Sequence, residues 1–380
     1  MVKRENEMIE IVEVNNRKRL KKFATYPLKL YKNCPYYVPS VRSDEMATFN
    51  PKKNFSLKGN DCKGFLCYKD GELVGRIAGL VNKKDNELRG KKMIRFSRFE
   101  CIDDMEVFKA LLSAVENFGK EKGMEIIHGP WGFNDTDREG MLTYGFDLRS
   151  TYATNYYYPY FSENMKKLGY ADESKWIERS FAIKSYDRIT RISEMLKKKY
   201  GLVDVSDFMS VKKIMKKYGD KMFDTLNDAY KDLDGYVPIE GKAKKNVLSQ
   251  FATIVNVKYI SFIIDGKDEV AAFGIVLPSI CDTLIKHKGR LFPTGFIGVL
   301  RDIKHPKELE MALIGVKSEY KNSGINAIVI EKIMRSLQHS DVKRIESNPM
   351  LETNLNIQQQ WKFAENEIIK KRQTYVKNID

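Results

Sequence analysis

Two stretches of this sequence, about half a chain apart, follow the same pattern, and this repetition limits the possible folds more than any other feature. The first stretch is Gly64–Gly79 and the second is Tyr259–Gly274. Each consists of an apolar run, an Asp-Gly pair and a second apolar run, which is typical of a β-hairpin with a tight turn. The turn residues Asp70 and Asp265 are 195 residues apart in a chain of 380 residues. The sequence therefore predicts two copies of one domain.

The same order of further elements is predicted after each hairpin: a strand, an amphipathic helix and another strand. Their expected bounds are Met93–Cys101, Met105–Lys120 and Glu125–His128 in the first copy, and Leu309–Val316, Ile325–Leu337 and Arg344–Glu346 in the second. The predicted fold class is α/β, or α+β, with two mixed β-sheets flanked by helices. We place the boundary so that the domains are residues 1–176 and 177–380, because the charged, turn-prone segment Ala171–Lys175 ends the first copy.

The charge of the chain is strongly positive. The sequence contains 66 Lys and Arg residues against 51 Asp and Glu residues, a net charge of +15. Such an excess suggests an anionic partner: nucleic acid, a membrane surface or a polyphosphate cofactor. Acidic residues are interleaved with the basic ones along most of the chain, however, and this favours a solvated basic surface. Nucleic acid is therefore a possible partner that the pattern does not favour.

Several classes of protein are excluded by what the sequence lacks. No run approaches the 18 or so apolar residues of a membrane span, and we expect no membrane partner. No apolar stretch follows the basic residues near Met1, so no secretory signal is expected. The five cysteines are an odd number without a CxxC pair. They indicate reduced thiols in a cytoplasmic protein rather than a disulfide framework or a zinc site.

The common catalytic motifs are also missing. No GxGxxG follows a predicted strand, and the P-loop-like segment Gly235–Lys242 has one residue too many and is followed by Ala243 instead of Ser or Thr. The four histidines are far apart in the sequence and lack the spacing of metal ligands. We therefore expect neither a dinucleotide site nor a catalytic metal.

One loop in the second copy has the residues of an anion site. The predicted strand Leu309–Val316 leads into Lys317–Ala327, which opens a helix. Unpaired backbone N–H groups at a helix N-terminus attract phosphate, and Gly324 would let the backbone approach it closely. Asn326 tolerates a left-handed conformation and Lys321 adds a charge. The pattern predicts a pyrophosphate cradle, although a strand, a loop and a helix with one glycine also occur as a plain connection.

The loop Lys321–Asn326, the order of elements around it and the segment Glu346–Asn354 resemble the GNAT superfamily of acyl-CoA N-acyltransferases, whose loop reads Gln/Arg-x-x-Gly-x-Gly/Ala. The segments Gly129–Trp131 and Gly289–Pro293 are similar to those of a group of bacterial proteins with two GNAT lobes in tandem. The resemblance implies that acetyl-CoA, or another acyl-CoA, is the co-substrate of the second lobe, without a metal. The residues it assigns to the cofactor are Ile314, Val316, Lys321, Asn322, Ser323, Gly324, Ile325, Asn326 and Asn354.

The match to the family is uneven. Lys321 replaces the Gln or Arg of the loop, and Asn326 replaces its last Gly or Ala. In the first copy, the corresponding segment Ile102–Phe108 has no glycine and three carboxylates, so we expect that lobe to have lost its cofactor.

Two further positions concern proton transfer. The family's glutamate base lies about eleven residues before the loop's Gln or Arg, which implies Glu310. The alternative reading of Glu310 is a carboxylate at the exposed start of a strand. The family's general acid, a tyrosine, falls at Trp361, which cannot titrate.

The leading prediction is transfer of an acetyl group from acetyl-CoA to an amine, carried by a small molecule or a peptide. Two alternatives remain: an aminoacyl-tRNA-dependent transferase with tandem GNAT-like lobes, and a non-catalytic acyl-CoA-binding regulatory protein. The aromatic run Tyr152–Phe161 could line an acceptor groove or stack on bases. The favoured interpretation of this run is a half-buried strand and turn that pack the two copies together.

Overall fold

The computed structural model describes the chain apart from residues 1–7, 51, 55–56, 134–136, 183–186, 232–235, 237, 242–243, 245–246, 249–253, 339, 355–357, 359–360, 362–364 and 380. The P-loop-like segment Gly235–Lys242 lies partly outside the described residues. Contacts divide the chain into two compact units. The first unit comprises Met1–Trp176, Leu284–Pro293 and Lys370–Asp380, and the second comprises Ile177–Thr283 and Thr294–Ile369. The units thus separate after Trp176, but two segments from the second half of the sequence belong to the first unit.

The first unit has one mixed sheet. Its strands are β1 (Ile9–Glu13), β2 (Asp61–Lys69), β3 (Glu72–Val81), β4 (Met93–Cys101), β5 (Ile126–Gly129) and β6 (Met141–Tyr144), with the first part of β7 (Ala171–Phe181) and the last part of β14 (Asn366–Asn378). Its helices are α1 (Arg17–Leu30), α2 (Arg42–Ala47), α3 (Lys83–Arg89), α4 (Met105–Glu121) and α5 (Pro159–Lys167). The sheet runs β1-β2-β3-β4-β5-β14; β4 and β5 are parallel, and the other neighbours are antiparallel.

The second unit repeats this plan. Its helices are α6 (Asp187–Tyr200), α7 (Val211–Tyr230), α8 (Cys281–His287, shared with the first unit), α9 (Gly295–Lys304) and α10 (Asn326–Leu337). Its strands are β8 (Val203–Asp204), β9 (Ile260–Ile264), β10 (Val270–Pro278), β11 (Glu308–Val316), β12 (Arg344–Ser347) and β13 (Met350–Leu351). The sheet runs β8-β9-β10-β11-β12, with the last part of β7 beside β12, and only β11 and β12 are parallel.

Helices cover both faces of the second sheet. Successive residues of a strand point to opposite faces, and Phe262 and Ile263 accordingly belong to different cores. Ile263 packs in the core that contains the apolar residues of α6 and α10. Phe262 packs in the core that contains those of α7. One face of the sheet therefore carries α6 and α10, and the other carries α7.

The elements predicted after each hairpin are present with nearly the expected bounds, but two local predictions are wrong. Ala171–Lys175 is the first part of strand β7 and not a turn. Most of its residues are exposed, so their polar side chains are compatible with a strand. The aromatic run does not form a strand: it leads into α5, which begins at Pro159. Tyr156, Tyr157 and Phe161 pack within the core of the first unit. No helix in the described part of the chain is long and apolar enough to cross a membrane.

Candidate active site

The site lies where two parallel strands of the second unit separate. β11 and β12 are paired from Glu308 opposite Arg344 to Met311 opposite Ser347. One further bond follows, from the backbone N–H of Asn348 to the carbonyl oxygen of Met311 at 3.2 Å. Beyond it, within the described residues, β11 pairs only with β10. The two strands therefore open into a groove.

The pairing of β11 with β10 contains a β-bulge. Leu313 is opposite Ile275 and Met311 is opposite Val276, so Ala312 is an extra residue in the ladder. A bulge shifts the alternation of side chains by one position. Met311 before the bulge, and Ile314 and Val316 after it, consequently pack against the same core, on the α10 face. The two strand residues predicted to hold the cofactor are thus half-buried beside the groove.

The groove is mainly apolar. A cavity of about 80 Å³ lies at its centre. The cavity is lined by residues of β10, β11, α10, the β12–β13 turn and two aromatic side chains: Gly274, Ile275, Val276, Met311, Ala312, Leu313, Ile314, Val329, Ile333, Ser347, Asn348, Pro349, Met350, Tyr230 and Trp361. The hydroxyl of Tyr230 donates to the carbonyl oxygen of Ile314 at 3.0 Å. This bond engages one backbone acceptor on the wall of the groove.

The predicted cradle loop follows β11 directly. Its backbone is left-handed at Asn322, with φ 65°, and at Gly324, with φ 82°. Ile325 is right-handed, with φ −63° and ψ −16°. Alternation of left- and right-handed residues turns successive N–H groups toward one side and creates an anion-binding concavity. Among the described residues, no atom accepts a hydrogen bond from the N–H of Asn322 or of Gly324.

The residues of this loop are open to a ligand. Lys321, Asn322 and Gly324 are exposed, and a Cβ placed on Gly324 would meet nothing within 4 Å. Ser323 turns inward, because its hydroxyl donates to the carbonyl of Tyr320 at 2.6 Å. Ile325, the residue before α10, makes no side-chain capping bond to the helix. The first turn of α10 is therefore not capped by a side chain of its own N-cap residue.

The first unit differs at the corresponding helix. Asp104 caps α4, its Oδ1 accepting from the N–H groups of Glu106 at 3.0 Å and Val107 at 3.3 Å. Lys69 contacts Asp104 at 2.6 Å. Burial raises the pKa of Asp104, but the hydrogen bonds from Lys69 and the backbone outweigh it and hold this pKa below its usual value. A carboxylate of the chain thus caps the N-terminus of this helix.

Glu310 lies on β11, two residues before the bulge. Its side chain is buried, which excludes the alternative of an exposed carboxylate at the start of a strand. Its Oε1 accepts a hydrogen bond from Ser279 Oγ at 2.7 Å and from Cys281 Sγ at 3.2 Å. By alternation it lies on the face opposite Leu309 and Met311, and it does not line the cavity. The predicted base is therefore adjacent to the groove and outside its apolar centre.

Trp361 and Asn354 follow β13. The indole N–H of Trp361 donates to the sulfur of Met350 at 3.2 Å, and its ring packs edge-on against Phe181. Trp361 thus forms an apolar wall of the groove. The carbonyl oxygen of Asn354 accepts from the N–H of Gln358 at 3.2 Å; Asn354 is half-buried and does not line the cavity.

Sequence reasoning missed the partners of Glu310. Ser279 and Cys281 are about thirty residues before it, and only the register of β10 against β11 brings them together. No spacing pattern indicates such a contact. All five cysteines are free thiols. In the part of the chain that the structure describes, no group of three or more His, Cys, Asp or Glu side chains could hold a metal ion.

The chain has relatives among curated proteins and solved structures. No family model matches the chain. Protein YghO of Escherichia coli (strain K12) is 24% identical over 378 residues, which are 96% of this chain and 94% of that protein. The bacterial ceramide synthase of Caulobacter vibrioides (strain NA1000 / CB15N) is 23% identical over 325 residues, or 84% of this chain and 83% of that protein.

Among solved structures, a tandem GNAT protein from the clavulanic acid biosynthesis pathway matches 98% of this chain and 99% of its own, with a TM-score of 0.56 at 10% sequence identity. Identity this low is informative about the fold and not about the substrate. The match extends over both mixed sheets of this chain. The chain therefore has a tandem GNAT-like fold.

Proposed function

We propose that the protein is an acyl-CoA-dependent N-acyltransferase whose active site lies in the second unit. The observation that carries the proposal is the groove between β11 and β12, which leads to a helix N-terminus with an open, left-handed loop. A thioester with a long pantetheine arm and a pyrophosphate needs such a combination: an extended slot for the arm and backbone N–H groups for the charge.

The loop supplies the anion site in this proposal. The N–H groups of Asn322 and Gly324 hold the pyrophosphate, with Ile325 and Asn326 completing the turn, and Lys321 adds a positive charge that faces solvent. Ser323 acts indirectly, since its hydroxyl fixes the turn by bonding to Tyr320. Asn354 borders the site from the β13 side. The first unit takes no acyl-CoA, because Asp104 already caps α4.

The reaction forms a C–N bond and breaks a C–S bond. Backbone N–H groups of β11 near Ile314 and Val316 polarise the thioester carbonyl, and the amine attacks it. Glu310 removes the proton of the ammonium, directly or through one water. The protonated Glu310 then releases this proton to solvent, and the nitrogen of the tetrahedral intermediate gives its second proton, through water, to the leaving thiolate, because Trp361 has no titratable group. The carboxylate is regenerated at the end of the cycle.

The acceptor is best sought among long-chain amines. One relative, which matches 84% of this chain, is a bacterial ceramide synthase, and a ceramide is an amide of a long-chain amino alcohol. The lining of the groove is compatible with this chemistry, since Met350, Trp361 and Val329 offer an acyl chain apolar contacts. The competing reaction is transfer of a short acetyl group from acetyl-CoA to an unrelated small amine or peptide.

The experiment is a product assay with the full chain. Acetyl-, octanoyl- and palmitoyl-CoA are each incubated with a panel of long-chain amino alcohols, polyamines and peptides, and the amides are identified by mass spectrometry. Direct detection of products avoids thiol reagents, which would also react with the cysteines. Amide formation that depends on both substrates supports the proposal. Tight acyl-CoA binding without turnover across the panel would favour the non-catalytic binding protein, consistent with Trp361.

A further inference from the structure

A large basic cleft lies in the first unit. Its volume is about 840 Å³. It is lined by the start of α1, by α2 and by the segment after α8, through the residues Arg17, Lys18, Lys21, Arg42, Ser43, Met46, Gly289, Arg290, Leu291 and Phe292. Five of these ten residues are cationic and none is acidic.

The cleft is a built feature and not a chance grouping of side chains. The N–H of Arg42 donates to the carbonyl oxygen of Gly289 at 2.8 Å, which joins the start of α2 to the segment 289–292. A Cβ on Gly289 would lie 2.2 Å from the carbonyl oxygen of Ser40, and its φ is 73°. Only glycine allows this close approach. The backbone therefore fixes Arg290 and Phe292 beside α1 and α2.

The cations of the cleft are not neutralised by nearby carboxylates. Among the described residues, no Asp or Glu lies within ion-pair distance of Arg17, Lys18, Lys21, Arg42 or Arg290, although ion pairs are frequent elsewhere in the chain. Partial burial and the like charge of Arg290 lower the pKa of Arg42. Crowding of like charges raises the energy of the cleft, and an anionic partner would relieve it.

Apolar side chains stand out beside these charges. Phe292 lines the cleft and 78% of it is exposed to solvent. The aliphatic side chains of Met46 and Leu291 also line the cleft. Basic side chains together with aromatic and aliphatic ones are typical of elements that lie in a membrane interface. A nucleic-acid site would need no such aliphatic residues.

We propose that the basic cleft of the first unit, with Phe292, docks the protein onto an anionic phospholipid surface. The cations contact lipid phosphates, and Phe292 enters the boundary between headgroups and acyl chains. The docking is peripheral, and it revises the expectation that the protein has no membrane partner. It does not rest on the proposed acyltransferase function, because binding is measured without any acyl donor.

The test is co-sedimentation of the full chain with vesicles of phosphatidylcholine, with or without phosphatidylglycerol. We expect binding to the vesicles with phosphatidylglycerol, weakening with added salt as screening shortens the range of the charges. The double variant Lys18→Glu, Lys21→Glu should bind at least about 25-fold more weakly, at roughly fivefold for each basic residue near such a surface. The matched control Lys109→Glu, Lys120→Glu changes the same charge at two exposed sites on α4.

A second variant separates the apolar contribution from the charge. Phe292→Ala should weaken vesicle binding about tenfold at unchanged net charge, since one large side chain is lost from the interface. The thermal unfolding midpoint should not move, because Phe292 is mostly exposed.

Three results would overturn the proposal. Equal loss in the α4 control would show that net charge, and not the cleft, governs binding. Equal binding to both kinds of vesicle would show that the anionic headgroup is not required for binding. Failure to bind either vesicle, together with cleft-dependent binding of free CoA or of an acidic acyl carrier protein, would assign the cleft to a soluble polyanion instead.

Discussion

Glu310 and Glu346 occupy directly opposed positions on the parallel strands β11 and β12, and both side chains are buried. They have different partners. Glu346 forms an ion pair with Arg344, whereas Glu310 accepts from the hydroxyl of Ser279 and the thiol of Cys281. A neighbouring cation stabilises the charged form of a carboxylate and makes it a weaker base. Of this pair, Glu310 is the residue that we propose as the base, and Glu346 is the one that pairs with Arg344.

The first prediction follows from this difference. Glu310→Gln should lower kcat by roughly 10²–10⁴-fold near neutral pH, the range for loss of a general base, while CoA affinity stays nearly unchanged. Glu346→Gln removes a carboxylate from the adjacent position and serves as the matched control. The measurement is steady-state turnover at saturating acyl-CoA, with a separate CoA titration. Wild-type turnover in Glu310→Gln would exclude this residue as the base.

A second prediction concerns the cradle loop. Gly324→Val should abolish measurable CoA binding, because the new side chain would enter the open space over the loop and strain the left-handed backbone. Gly201→Val is the control, since Gly201 also has a positive φ, of 63°, and open space around its Cβ. Both variants carry similar strain. Calorimetric titration with CoA should therefore show loss of binding in the first variant only.

A third prediction concerns Tyr230. Its hydroxyl bonds to the carbonyl oxygen of Ile314 on the groove wall. If the pantetheine arm takes this acceptor, the bond must break on binding, at a cost of about 0.5–1.5 kcal/mol. Tyr230→Phe should then strengthen acyl-CoA binding by roughly two- to tenfold, measured by titration. Weaker binding would mean that the hydroxyl contacts the ligand directly.

The local elements were predictable from the sequence, because their signals are local. The spacing of Phe108, Leu111, Leu112 and Val115 indicates the buried face of α4, and all four are fully or almost fully buried. The Asp-Gly pairs mark both hairpins. The loop at Gly324 follows from its position between a strand and a helix.

Contacts distant in sequence were not predictable. Residues 370–380 close the first unit because β14 pairs with β5, Tyr375 lying opposite Gly129. Nothing near Tyr375 in the sequence specifies that partner. The bond from Cys281 to Glu310 likewise depends on strand register, and a slip of β11 by one residue would turn the side chain of Glu310 to the other face. The sequence repeat shows which elements recur, but it does not show which strands pair with each other.

A fourth prediction concerns a buried ion network in the first unit. Arg76 donates to both oxygens of Glu100, at 2.7 and 3.1 Å, and to Glu45 at 3.0 Å. Burial raises the pKa of Glu45, but Arg98 and Arg76 outweigh it and lower this pKa to about 2. Glu100→Gln leaves a buried guanidinium undercompensated and should reduce the free energy of unfolding by about 3–5 kcal/mol.

The control for this network is an exposed ion pair. Lys29 and Glu72 are 2.5 Å apart, with more than half of each side chain exposed. Glu72→Gln should leave the free energy of unfolding nearly unchanged, because water screens such pairs. Urea denaturation of both variants measures the two costs. Similar values for the two would contradict the assignment of the network as a principal stabilising element of the first unit.

The last prediction concerns His128, which is buried on β5 with its Nε2 2.7 Å from Glu173. Burial lowers the pKa of His128 by more than the hydrogen bond and charge of Glu173 raise it. The unfolded chain therefore takes up a proton near the ordinary histidine pKa of about 6.5, while the folded state remains neutral until a lower pH. Between these two values the unfolded state binds more protons, so the free energy of unfolding falls as the solution is acidified. Glu173 contributes separately: its lowered pKa means that its share of stability is lost only at a more acidic pH.

We expect the urea midpoint of the wild type to decrease as the pH is lowered from about 7.5 to about 5. His128→Gln should flatten that decrease, and His305→Gln, at an exposed position, should leave it unchanged. A midpoint that rises on acidification would mean that the ion pair with Glu173 dominates and that His128 is protonated in the folded protein.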